Sequence, residues 1–315
     1  MSTIDTYVDD ENKGIQLYSN LINLENSKLF HNAHANILPH PADILLERLR
    51  SLHSKLEDIK KCDCDASLNN KIQESVFSYI LEIDRFYDSL FLIIKCLAEP
   101  QGDDNKDVTI WLRAIKSKEY NDFVGPTSSR HKVFRDVSNK IKHGHVAISR
   151  LTIENHNHDI VNGFCVTGVI GENDLRGPDH DIHKLYYGCA TAFSYNHFIL
   201  YSVGCLCVYM YHLNKVLFKK QSQVKHNNNY LFNIIQLCQD IPHKFFPDEY
   251  SRPYAFLKKQ NDGRILVKFP YRYKANKKEI FQNIYRVLGH VYYNERTSTA
   301  NGKLPYLQLT GRRFE

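Results

Sequence analysis

Val76-Phe-Ser-Tyr-Ile80-Leu-Glu-Ile83-Asp-Arg-Phe-Tyr87-Asp-Ser-Leu90-Phe-Leu-Ile-Ile94-Lys-Cys-Leu97 decides the fold class. Val76, Ile80, Ile83, Tyr87, Leu90, Ile94 and Leu97 recur at alternating steps of four and three, the spacing that keeps side chains on one stripe of an α-helix. A stripe this long demands apolar neighbours along the whole helix, as in an up-and-down bundle. Glu99-Pro100-Gln-Gly102 ends it.

Upstream, 11–35 and 42–61 are polar-rich with a helical apolar rhythm, and Pro41 suits the first position of the second helix. Downstream, a short helix is expected over Val108–Ile115, holding the single tryptophan, Trp111. Gly125-Pro126-Thr127-Ser128 reads as a break and a new helix start, with the next helix running to about His143 and Gly144 as its C-terminal cap. The period then changes from 3.6 to 2. Ala147–Glu154 and Ile160–Ile170 read as a β-hairpin inserted before the last helix of the bundle.

Leu185 to Asn214 contains no Asp, Glu, Lys or Arg, and a helix from about Gly188 to Lys219 is expected to be the central one. Its most apolar part, Phe198–Tyr211, has the length of a buried core helix rather than of a membrane span. Gln221–Asn229 reads as a linker. Beyond it, Tyr254–Lys259 and Arg264–Phe269 flank Asp262-Gly263, a pair suited to a tight hairpin turn. A helix over 277–289 and a second hairpin at Asn301-Gly302 complete a small α+β unit.

The chain has 315 residues, 43% hydrophobic and 24% charged, which excludes wholesale disorder and suffices for one large core or two modest ones. Its formal charge of +6 is uneven. Residues 245–315 carry 14 Lys and Arg against 6 Asp and Glu, so the basic character belongs to the C-terminal quarter and points to an anionic partner there, or to a solvated basic surface. Within it, Lys268-Phe-Pro-Tyr-Arg272-Tyr-Lys274 alternates bases with aromatics, which fits both stacking on single-stranded nucleic acid and a half-buried edge strand. Met1–Glu11 has no secretory pattern, and the eight cysteines sit mostly in apolar helical stretches, as expected of reduced thiols in a cytoplasmic protein. Cys62-Asp-Cys64 has no second pair at zinc-finger spacing. Neither a metal nor a cofactor is expected.

The stretch that carries chemistry is Arg135-Asp-Val-Ser-Asn-Lys-Ile-Lys-His-Gly-His145. On a helix, Val133, Phe134, Val137 and Ile141 share one side, while Arg135, Asn139, Lys142 and His143 gather on the other. Arg and Lys hold a phosphodiester and stabilise charge on its oxygens; a histidine exchanges protons near neutral pH. Lys140 and His145 add to the phosphate-binding set. The same residues also describe a solvated helix face with a basic last turn, which the helix dipole favours.

The run of helices ending in Asn139-Lys-Ile-Lys142-His143-Gly144 resembles the HEPN domains of bacterial defence and toxin systems, in particular those whose last motif reads N-x-x-K-H. The resemblance covers about residues 1–220. It implies a helical bundle that forms a homodimer, with two motif helices meeting in a cleft, and a metal-independent ribonuclease in which Arg135 positions phosphate, Asn139 orients the site and His143 takes part in cleavage by the RNA's own 2′-hydroxyl. The family's usual signature places four to six residues between Arg and His; here seven separate Arg135 from His143. Arg150 with His156, and Arg176 with His183, meet the spacing but fall in strand or loop regions.

The expected architecture is therefore mainly α: a HEPN-like up-and-down bundle over 1–222 with a hairpin insertion at 147–170, and a basic α+β unit over 230–315. Its expected function is RNA cleavage. The alternative is a non-catalytic dimer that binds RNA, a nucleotide or a partner protein.

Overall fold

A computed structural model describes residues 3–8, 15–64, 71–143, 146–154, 160–169, 176–219, 229–272, 286–288 and 305–306. The fold is mainly helical with antiparallel sheets. The chain divides into two compact units that interleave along the sequence, rather than into segments 1–222 and 230–315. Unit 1 takes residues 1–134, 203–240 and 256–269; unit 2 takes the rest.

Unit 1 holds β1 (Ile4–Val8), α1 (Leu17–Ile22), α2 (Pro41–Cys64), α3 (Ile72–Cys96) and α4 (Val108–Ile115). It also holds α5 (Ser117–Lys142) up to Phe134, α6 (Tyr195–Leu217) from Val203, and α7 (Asn229–Cys238). The α3 stripe is where its spacing puts it: Val76, Ile80, Ile83, Tyr87, Leu90 and Ile94 are all buried. Against it packs α2, whose Leu45, Leu49, Leu52, Leu56 and Ile59 are buried, and α7 lies against α2. Pro41 begins α2 as expected, and Asp107 caps α4 by accepting from the amides of Thr109 and Ile110.

Two helical expectations in this unit need correction. The first helix is only Leu17–Ile22, followed by a 3-10 turn at Asn26–Lys28. Here Asn23 turns its side-chain amide onto the Ser19 carbonyl, a local bond that competes with helix continuation. Gly125-Pro126, conversely, interrupts nothing: Pro126 lies inside α5. Proline removes one backbone donor. The next residue, Thr127, gives its hydroxyl to the Phe123 carbonyl at 2.6 Å and meets the Tyr87 hydroxyl at 2.9 Å. Phe123, Thr127, His131 and Phe134 are buried, so packing holds the helix together across the proline.

The hairpin β8 (Tyr254–Lys259) and β9 (Ile265–Tyr271) forms with Gly263 at φ 81, as Asp-Gly suggested. β9 is the middle strand of the order β1-β9-β8, not an edge, with Ile4 opposite Phe269 and Val8 opposite Ile265. Gly204 of α6 lets the Phe269 ring approach so closely that a Cβ there would stand 2.2 Å from it.

Unit 2 is built on a sheet. β2 (Ala147–Glu154) pairs with β3 (Ile160–Val169) from Ala147↔Thr167 to Glu154↔Ile160, the expected hairpin. β4 (Arg176–Pro178) and β7 (Phe193–Ser194) pair with β3, and β10 (Arg286–Leu288) pairs with β2. β5 (Leu185–Tyr186) and β6 (Cys189–Ala190) form a separate two-stranded ribbon. The expected helix from Gly188 therefore starts only at Tyr195. Of the expected helix 277–289, the described residues 286–288 are strand; the remainder, the second hairpin at 301–302 and the linker 221–228 lie outside the described residues. Leu151, Ile153, Val161, Cys165, Cys189, Ala192, Phe246 and Tyr306 form one buried cluster.

No helix among the described residues is long and apolar enough to cross a membrane.

Candidate functional site

The last two turns of α5 belong to unit 2. Val137 and Ser138 are fully buried, which fixes the rotation of the helix. Asn139, Lys142 and His143 consequently stand exposed, and Arg135 is half-buried. The His143 amide donates to the Asn139 carbonyl at 3.1 Å, so helical bonding continues to the histidine itself. Gly144 and His145 lie outside the described residues.

Lys140 does something the sequence did not disclose. Its ammonium donates to Asp179 at 3.0 Å and to Asp181 at 2.8 Å, in the loop between β4 and β5. Donating to Asp181 and Asp179 raises the lysine pKa; accepting from Lys140, with the nearby Lys184 and His180, lowers that of Asp181. Lys140 thus offsets one of the two negative charges held beside the exposed basic side chains. Arg135 and His143 are eight positions apart, roughly 12 Å along the axis, and helical side chains lean toward the N-terminus.

Lys268, in β9 of unit 1, faces Asp5 across the strand pair at 3.4 Å. Phe269 is buried against α6, so the alternation of bases with aromatics there is that of a half-buried strand. Arg272 is exposed in unit 2, and Lys274 lies outside the described residues.

No protein-family model, curated protein or solved structure matches the chain. The HEPN-like reading stands on the motif residues and their helical frame.

A second concentration of ionisable groups lies at the start of α6, in unit 2. Glu249 is fully buried and accepts three hydrogen bonds: from the Ser194 amide at 3.0 Å, the Ser194 hydroxyl at 2.5 Å and the Phe246 amide at 2.9 Å. Ser194 in turn caps α6 by accepting from the His197 amide at 3.2 Å. His197 Nδ1 lies 3.6 Å from Glu249. Burial pushes Glu249 up to about 8, with Asp248 adding to the rise, and pushes His197 down to about 3. Asp248 is raised by the same burial while pairing with Arg252 and accepting from the Tyr306 hydroxyl. Serine, histidine and glutamate meet here, but not as a nucleophile and its base. The Ser194 hydroxyl is spent on the carboxylate, and neither residue reaches solvent. The cluster anchors a helix start.

His34, Asp104 and Lys95 form another buried set, in unit 1. The His34 ring bridges Asp104 at 2.9 Å and the Lys95 carbonyl at 3.0 Å, and Lys95 donates to the Asp104 carbonyl. Among the described residues no three His, Cys, Asp or Glu side chains converge as metal ligands. The cap signal of Ser194 before an apolar run was readable in the sequence; the carboxylates that meet it and Lys140 come from distant segments and left no local signal.

Proposed function

We propose that the chain is a HEPN-like endoribonuclease that works at the end of α5. The observation that carries this is the exposure of Asn139, Lys142 and His143 on one side of a helix end whose opposite side is buried. Lys142 holds a phosphodiester oxygen, beside Lys140, which pairs with Asp179 and Asp181. His143 takes the proton from a ribose 2′-hydroxyl as that oxygen attacks the neighbouring phosphorus. The bond to the 5′-oxygen breaks, a proton returns to that oxygen, and a 2′,3′-cyclic phosphate remains. The nucleophile is the RNA's own hydroxyl, so the step needs no metal-bound water. Arg135, eight positions before His143, grips a different phosphate of the same strand, or the site of a second copy in a dimer.

The test uses purified protein, total RNA and a chelator. Wild type is expected to yield fragments ending in cyclic phosphate, His143→Ala to lose at least about a hundredfold in rate, as removal of a general acid–base does. RNA left equally intact by both refutes cleavage.

The seven-residue gap between Arg135 and His143 favours a second reading, a non-catalytic module that binds RNA, a nucleotide or a partner protein. It requires Arg135→Ala to weaken ligand binding while no product forms at any protein concentration.

A further inference from the structure

The ribbon of β5 and β6 is joined by two residues, Tyr187 and Gly188, since Tyr186 pairs with Cys189. Both have positive φ, 47° and 77°, which makes the turn the tight kind that suits Asn-Gly. Tyrosine is a poor occupant: a bulky side chain in the left-handed region is strained. Burial does not offset the strain, because Tyr187 is 57% exposed and its neighbour Leu185 69%. The ring is nonetheless braced. It meets Tyr186 edge-on with centroids 4.6 Å apart, and Tyr186 packs on the buried cluster around Leu151 and Phe246. The root of the ribbon is fixed too, by the Tyr306 amide on the Ala190 carbonyl at 3.0 Å and the Thr191 hydroxyl on the Lys184 carbonyl at 3.0 Å.

Lys184 opens the ribbon, exposed, and acts on Asp181, the carboxylate that Lys140 of α5 holds. The ribbon therefore rises from the loop on which the end of α5 rests. An exposed aromatic ring held in place, with Lys184, His180, Lys142 and His143 on the flanking segments, matches what a single strand offers: unpaired bases to stack and phosphates to neutralise. Among the described residues the two exposed apolar side chains of the ribbon, Leu185 and Tyr187, are flanked by the exposed Lys184 and Gly188.

We infer that the Tyr187 turn is a stacking platform for a base of single-stranded RNA. The inference rests on the RNA reading of the α5 end and names what that site prefers: unpaired over duplex RNA. Bracing the ring in advance reduces the ordering cost of binding.

The experiment measures anisotropy of a labelled 2′-O-methyl oligouridylate, which lacks the attacking hydroxyl, and of a duplex of equal length. Tyr187→Gly removes the ring and the backbone strain together, so its Tm should equal or exceed that of wild type. Its affinity for the single strand should fall about tenfold and for duplex stay unchanged, while Tyr187→Phe stays within about twofold of wild type. Wild-type affinity in Tyr187→Gly, or an equal loss for duplex, overturns the platform and leaves the α5 reading intact. A changed elution volume in Tyr187→Gly with RNA affinity unchanged also overturns it, and makes the turn a contact between copies. Failure of wild type to bind either RNA overturns both.

Discussion

Buried ionisable side chains in unit 2 pull its stability in opposite directions with pH. His183 and His197 are pushed down to about 3 by burial, so from pH 6.5 toward 3 the unfolded chain binds protons that the folded one refuses, and stability falls with acid. Glu249 is pushed up to about 8 from 4.5, so between those values the folded state keeps a proton that the unfolded one releases, and stability falls as pH rises. Each group contributes at most ~1.4 kcal/mol per pH unit. Above 6.5 the two histidines no longer contribute, and Glu249, with Asp248 raised in the same sense, draws stability down. The expected outcome is a stability maximum near pH 6.5, with Glu249→Gln flattening the alkaline side and leaving the acid side steep. Urea unfolding at a series of pH values measures both slopes; an unchanged alkaline slope in Glu249→Gln removes that residue from the account.

At the scale of elements, α6 and β9 meet with no space to spare. Replacing Gly204 with alanine improves helix propensity by about 1 kcal/mol. Its Cβ, however, would enter the Phe269 ring at 2.2 Å, and overpacking costs typically 1–3 kcal/mol. Gly204→Ala should therefore lower the urea midpoint, and Phe269→Leu in the same chain should restore part of it. What the sequence discloses about elements follows from how local their causes are. The α3 stripe is legible because one periodic face decides the helix, and the β2–β3 hairpin because a change of period marks it. Pro126 misleads because a hydroxyl one residue on and a buried face outweigh a local rule. Gly188–Ser194 misleads because an apolar run without charges carries no visible period, while its strands are fixed by pairing with β3 and by the Tyr187 turn. At the α5 end, exposure of Asn139, Lys142 and His143 follows from the wheel, but the grip of Lys140 on Asp179 and Asp181 spans about forty positions and has no local sign.

On the scale of the molecule, each unit is closed by residues far along the chain. Tyr306 fills the unit 2 cluster, with its amide on Ala190 and its hydroxyl on Asp248 at 2.5 Å. Tyr306→Ala empties a site of aromatic size, where such truncations cost 3–5 kcal/mol as an order of magnitude. Calorimetry should register a clear drop in Tm, with Tyr306→Phe falling in between. A loss no larger than in Tyr306→Phe would mean that the ring adds little to the cluster. In unit 1 the closing partner is β9, since Ile4 lies opposite Phe269. That pairing sets an order of events during synthesis. The first strand leaves the ribosome 265 residues before its partner, an interval of roughly 13–50 s at ordinary translation rates. Throughout that interval the β1 segment has no β9 to pair with, and the polar Asp5 and Thr6 within it disfavour pairing with another copy.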